Sequence, residues 1–210
     1  MTTDRNIQVV FITGKGGAGK TYYAKKLLTG LNYDFCVSSA SNDPFQDYLG
    51  QKGIILDDMR DYAFAFEDLL KTLDNNTSSS VKSRFANKVF NGEMIVITSS
   101  VPLVHWYKNK DDKGNYYNLD ADDLIQLYRR ISCYVVVTKQ DISVYNDGVD
   151  ELGKPKGKAT VFKNELVDMK AEQKVKPDFS EMFGKICEAA DNASFEQMPL
   201  VPVDGDDLPF

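Results

Sequence analysis

Long apolar runs are missing from this chain of 210 residues. Nothing approaches the ~18 consecutive apolar residues of a membrane span, so no membrane role is expected. The opening Met-Thr-Thr-Asp-Arg-Asn lacks the charged-then-apolar pattern of a secretory signal. Cysteine is scarce. Cys36, Cys133 and Cys187 are odd in number and far apart, so no disulfide framework is expected, and with a single His a zinc site is not expected. A cytoplasmic location in a reducing compartment fits this composition. No internal repeat is present. A basic excess is lacking too: the formal charge is −6. Residues 1–140 hold 17 Lys/Arg against 16 Asp/Glu, whereas 141–210 hold 8 against 15, so the acidity belongs to the C-terminal third. That balance argues against a strong global attraction to DNA, but not against local binding by the front part.

What is present is concentrated near the start. Residues 14–21 read Gly14-Lys15-Gly16-Gly17-Ala18-Gly19-Lys20-Thr21, the pattern G-x-x-x-x-G-K-[ST]. An apolar run at 7–12 precedes it, and Tyr23, Leu27 and Leu31 share one helical face after it. Strand, glycine loop and helix in that order are what a phosphate-binding loop requires. Glycines let backbone N–H groups turn inward, and the helix N-terminus adds partial positive charge. Lys20 is expected to neutralise the β- and γ-phosphates of ATP, and Thr21 to hold Mg²⁺.

Five apolar segments predict strands, at 7–12, 34–38, 53–57, 94–98 and 133–138, with helices between them at 20–30, 64–73 and 121–130. The alternation predicts an α/β fold, a P-loop NTPase with a five-stranded, mainly parallel sheet flanked by helices. Residues 142–146 and 159–164 predict a hairpin, and 178–190 a short amphipathic helix carrying Phe179, Met182, Phe183 and Ile186. The expected organisation is an ATPase domain at 1–140, a hairpin and helix at 141–190, and a flexible acidic tail at 191–210.

The strand at 53–57 ends in Asp57 and Asp58, the first suited to the Mg²⁺ shell and the second to activating water. The strand at 94–98 ends in Thr98-Ser99-Ser100, where a polar residue would lie between the two nucleotide motifs. Arg129 and Arg130 end a helix whose first turn holds Asp122 and Asp123. In His105-Trp106-Tyr107 the aromatic residues are read chiefly as packing, with adenine stacking or DNA contact as the alternative.

Taken together, GKGGAGKT, IILDD, SVKSRFANK, IVITSS and QLYRRI resemble a superfamily-three helicase over roughly residues 7–140. They look most like the helicase domains of rolling-circle replication initiators of plasmids and single-stranded DNA viruses. Such proteins are AAA+ ATPases that form hexameric rings on a nucleic-acid strand. The resemblance implies that Lys20 and Thr21 bind ATP–Mg²⁺, that Asp57 and Asp58 are the acidic pair, and that Ser100 occupies the sensor position, where Asn is usual. It implies that Arg129 or Arg130 reaches a neighbouring subunit's γ-phosphate. It also implies that residues 81–91 form a pore hairpin, with Lys82, Arg84 and Lys88 on single-stranded DNA and Phe85 available for stacking. Initiators of this kind carry an endonuclease domain ahead of the helicase. Only six residues precede the first strand here, so no nicking is expected of this chain.

The same loop also fits the deviant motif of plasmid-partitioning ATPases, whose extra lysine, Lys15 here, reaches across a dimer. That family needs an Asp at the end of the second strand, which reads Phe35-Cys36-Val37-Ser38-Ser39. A nucleotide-gated adaptor without unwinding activity is a third reading. Finally, Asp204-Gly205-Asp206-Asp207-Leu208-Pro209-Phe210 is similar to the C-terminal tip of bacterial single-stranded-DNA-binding protein. The likeness implies docking on host proteins through Asp206, Asp207, Leu208, Pro209 and Phe210, in a bacterial host cell. Phe210 would present a ring and a carboxylate to one pocket.

Overall fold

The computed structural model describes residues 6–39, 44–63, 65–75, 90–107, 121–166 and 180. Two units separate, Met1–Lys170 and Ala171–Phe210. The first contains the sheet. Its strands are β1 (Gln8–Thr13), β2 (Phe35–Ser38), β3 (Gly53–Leu56), β4 (Met94–Ser99), β5 (Cys133–Val137), β6 (Asp141–Tyr145) and β7 (Thr160–Lys163). The helices are α1 (Lys20–Gly30), α2 (Phe66–Thr72) and α3 (Ala121–Tyr128), and single 3-10 turns occupy Asp61–Ala63 and Leu103–His105.

The five expected strands form the parallel part, in the order β2-β3-β4-β1-β5. Their apolar runs carry no polar alternation because both faces are covered. Successive residues feed opposite layers. Val9, Phe11, Ile54, Leu56, Ile95, Ile97 and Tyr134 join one core with Leu69 of α2 and Leu127 of α3. Val10, Ile12, Ile55, Val96, Val135 and Val137 join the other, with Ala24 and Leu28 of α1.

Among the described residues the sheet has seven strands rather than five. The residues expected to form a hairpin do pair with each other, β7 antiparallel with β6, and the hairpin joins the sheet because β6 also pairs antiparallel with β5. A tight turn makes this possible: Thr138 Oγ1 accepts the N–H groups of Gln140 (3.2 Å) and Asp141 (2.9 Å). The chain thus reverses onto the open edge of β5 and satisfies its ladder. Two reversals return β7 to the direction of β1 and β5, so its C-terminal end arrives at the sheet edge that carries the glycine loop.

Trp106 and Tyr107 are structural. Trp106 is 1% exposed, packs edge-on against Phe11 at 5.1 Å and donates from Nε1 to the Val101 carbonyl at 3.2 Å. A ring enclosed this way cannot stack on a base. Trp106→Ala should therefore lower stability by about 3–5 kcal/mol in chemical denaturation, while Trp106→Phe, assayed folded, keeps wild-type affinity for ATP. Loss of ATP affinity in folded Trp106→Phe would restore the stacking reading. The helix expected at 178–190 and the acidic tail fall outside the described residues, Ser180 excepted.

Candidate functional site

The loop between β1 and α1 is built by close approach and by glycine. A Cβ on Gly14 would lie 2.1 Å from the Val137 carbonyl oxygen, so only glycine lets the loop pass the end of β5. Gly17 and Gly19 have φ of 76° and 107°, in the left-handed region. At the crest, a Cβ on Gly16 or Gly17 would meet nothing within 4 Å. Helix α1 starts at Lys20 with Gly19 as N-cap, no side-chain cap and no acid in its first turn. By contrast α2 and α3 carry Glu67 and Asp68, and Asp122 and Asp123, in theirs. The positive end of α1 is thus left for an external anion. Lys20 is buried and its Nζ curls back to donate to the carbonyls of Gly14 (3.0 Å) and Lys15 (3.3 Å). An ammonium inside a glycine loop at an uncapped helix start fits a polyphosphate.

Beside this loop lies a hydroxyl–carboxylate cluster. Asp57 follows β3 and Thr21 sits in the first turn of α1; Thr21 Oγ1 donates to Asp57 Oδ1 at 2.6 Å. Strand β4 is inserted between β1 and β3, and its Thr98 Oγ1 donates to the same Oδ1 at 2.7 Å. Thr98 Oγ1 in turn accepts the backbone N–H of Asp58 at 2.9 Å. Asp58 takes a left-handed conformation, φ 47°, so the backbone leaves the extended strand line there. Its carboxylate is exposed and stands 3.8 Å from Arg60. A hydroxyl and a carboxylate in contact next to a phosphate loop form a donor set suited to Mg²⁺.

Thr98 was not singled out in the sequence; Ser100 was. Ser100 lies one residue past the end of β4 and is half-buried, while Thr98 makes the contact with Asp57. The TSS run of three adjacent hydroxyl residues gave no means of ranking them. The neighbour Ser99 is turned to the other side, donating to the Met59 carbonyl at 2.7 Å.

The two arginines separate clearly. Arg130 is largely enclosed, 3.5 Å from Asp74, and donates to the Gln126 carbonyl. Burial pulls its pKa below the usual value, Asp74 counters this and Arg129 adds to it. Arg129 is exposed and borders a cleft of about 750 Å³ with Asp147, Asp150, Glu151 and Lys156. Both arginines precede β5, which runs parallel to β1, so they lie at the sheet edge opposite the glycine loop. Lys15 is exposed on the loop. Lys82, Arg84 and Lys88, with Phe85, and Asp206, Asp207, Leu208, Pro209 and Phe210 lie outside the described residues.

Residues 10–101, from β1 to just past the end of β4, match the family model described as RNA helicase, a superfamily-three helicase-type domain. The chain is also similar to the "Replication protein" of Onion yellows phytoplasma (strain OY-M), with 42% identity over 144 residues. That match covers 68% of this chain and 36% of the relative, so the chain spans about a third of the relative's length. The fold is a mixed α/β P-loop type with a mainly parallel sheet, and its front part is helicase-like. No described helix is long and apolar enough to cross a membrane.

The cluster predicts its own weak point. Thr98→Val keeps the shape but removes one donor to Asp57 and the acceptor for the Asp58 N–H. Stability should fall by about 1–3 kcal/mol in urea unfolding; an unchanged midpoint would mean the cluster does not hold the strand ends together.

Proposed function

We propose that this chain is an Mg²⁺-dependent ATPase of the superfamily-three helicase type that acts in DNA replication, as a ring, in the hexameric form usual for that type, on single-stranded DNA. The observation that carries the reading is the contact of Thr21 and Thr98 with one oxygen of Asp57, immediately beside the loop that encloses Lys20. Lys20 would exchange its two carbonyl partners for the β- and γ-phosphates. Thr21 and Asp57 would hold Mg²⁺, which supplies charge neutralisation on the phosphates. Asp58, exposed and off the strand line, would take the proton of the attacking water, with Ser100 and Thr98 orienting it. Arg129 would serve a neighbouring copy, because the sheet separates it from its own loop; Arg130, committed to Asp74, would brace the helix end.

Lys82, Arg84 and Lys88 would hold DNA phosphates. The Asp206–Phe210 tip would dock on host proteins that recognise the single-stranded-DNA-binding protein. The similarity to a replication protein supports the setting.

Lys20→Ala should abolish ATP turnover, whereas Asp58→Asn should keep ATP binding and lose hydrolysis. Normal hydrolysis by Asp58→Asn would remove it from the water-activating role. Neither Lys20→Ala nor Arg129→Ala should turn over alone, yet mixed particles should recover activity, since each subunit supplies what the other lacks. No recovery, with Arg129→Ala active alone and Lys15→Ala dead, would favour the partitioning-type dimer. For the tail, deletion of Phe210 should abolish competition with a synthetic peptide of the single-stranded-DNA-binding protein tip for its host receptor. Undiminished competition would make the ending a solubilising tail only.

A further inference from the structure

The end of β7 reaches into the glycine loop through one buried side chain. Asn164 is 2% exposed. Its Nδ2 donates to the carbonyl of Ala18, at 3.0 Å, and to that of Thr138, at 2.6 Å. Its Oδ1 accepts from Tyr23 Oη at 2.7 Å and from the Leu166 N–H at 3.1 Å. Its own N–H donates to the Gln140 carbonyl at 2.7 Å. One side chain therefore ties together the loop, helix α1, the turn after β5 and the chain leaving β7. Its whole hydrogen-bonding capacity is spent on doing so.

The contact with Ala18 has a directional consequence. In a planar trans peptide the C=O and the following N–H point in opposite directions. Holding the Ala18 carbonyl outward, toward Asn164, turns the Gly19 N–H the other way, and the Ala18 N–H is itself fixed on the Lys15 carbonyl at 3.2 Å. Gly19, with φ 107°, has no Cβ to bias this peptide, so its orientation must be imposed from outside. Leu166 adds a wall: its Cδ1 lies 3.3 Å from the place a Cβ on Gly19 would take.

We propose that Asn164 is a positioning residue for the phosphate site, setting the Ala18–Gly19 peptide so that the Gly19 N–H is presented to the anion. This rests on the reading of the loop as a nucleotide site. It adds a requirement that the motif itself does not contain, supplied from 146 positions along the chain.

The test uses the full chain, ¹⁵N-labelled, with a non-hydrolysable ATP analogue and Mg²⁺. Asn164→Ala should bind the analogue about tenfold more weakly, and its Gly19 amide resonance should move even before nucleotide is added, while the Gly16 amide stays in place. Tyr23→Phe, which removes one donor to Asn164 Oδ1 but leaves the Ala18 clamp, should change affinity less than twofold. Wild-type affinity in folded Asn164→Ala overturns the proposal, as does a Tyr23→Phe loss as large as that of Asn164→Ala. If Asn164→Ala does not fold, the wild-type Asn164 side-chain amide decides: it should shift on saturation with nucleotide, and no shift overturns the proposal. If the wild type binds no nucleotide, the ATPase reading fails by itself. An unmoved Gly19 resonance in the nucleotide-free variant would then overturn the clamp, and a moved one would uphold it.

Discussion

A single carboxylate oxygen gathers the working edge of this molecule. Asp57 Oδ1 accepts a hydroxyl from Thr21 on α1 and another from Thr98 on β4. This is possible only because β4 is inserted between β1 and β3 and all three strands end at the same edge. A strand slipped by one residue would turn Thr98 to the opposite face and exchange it for Ile97 or Ser99. The packed alternation of Val9, Val10, Phe11 and Ile12 with Ile95, Val96 and Ile97 therefore does more than stabilise the sheet: it sets the register on which the cluster depends.

Much of this was legible beforehand because its signals are local. The apolar runs of β1, β3, β4 and β5 are short, continuous and bounded by turns. The glycine loop declares its own strand and helix, and the acids stand where β3 stops. The remainder depends on which edge or side chain is left unsatisfied in three dimensions. Residues 142–146 and 159–164 signalled a hairpin, but nothing in their pattern says that β5 has an open edge for it to join. Thr98, Ser99 and Ser100 are chemically alike, and only the register picks out Thr98 as the partner of Asp57. Arg129 and Arg130 are adjacent and identical, and only Asp74, 56 positions earlier, separates a braced arginine from an exposed one.

Asn164 shows the same limit most sharply. It closes a strand of four exposed residues, a setting that reads as a surface turn. Its importance comes from two antiparallel reversals that carry it back to the loop edge. A phosphate loop is usually described through its own residues, yet here its outer peptide is oriented from the far end of the sheet. The extra strands thus act as a scaffold for the loop as well as an edge for the sheet.

The central claim is that Thr21 and Asp57 share one Mg²⁺ beside a polyphosphate held by Lys20. The most direct measurement is the equilibrium affinity for ATP across a Mg²⁺ titration, from excess chelator to saturation, in the wild type and in Asp57→Asn. The account predicts that Mg²⁺ tightens ATP binding markedly in the wild type and that this tightening is largely lost in Asp57→Asn, while affinity in chelator is similar for both. Equal Mg²⁺ dependence in the two proteins would contradict it.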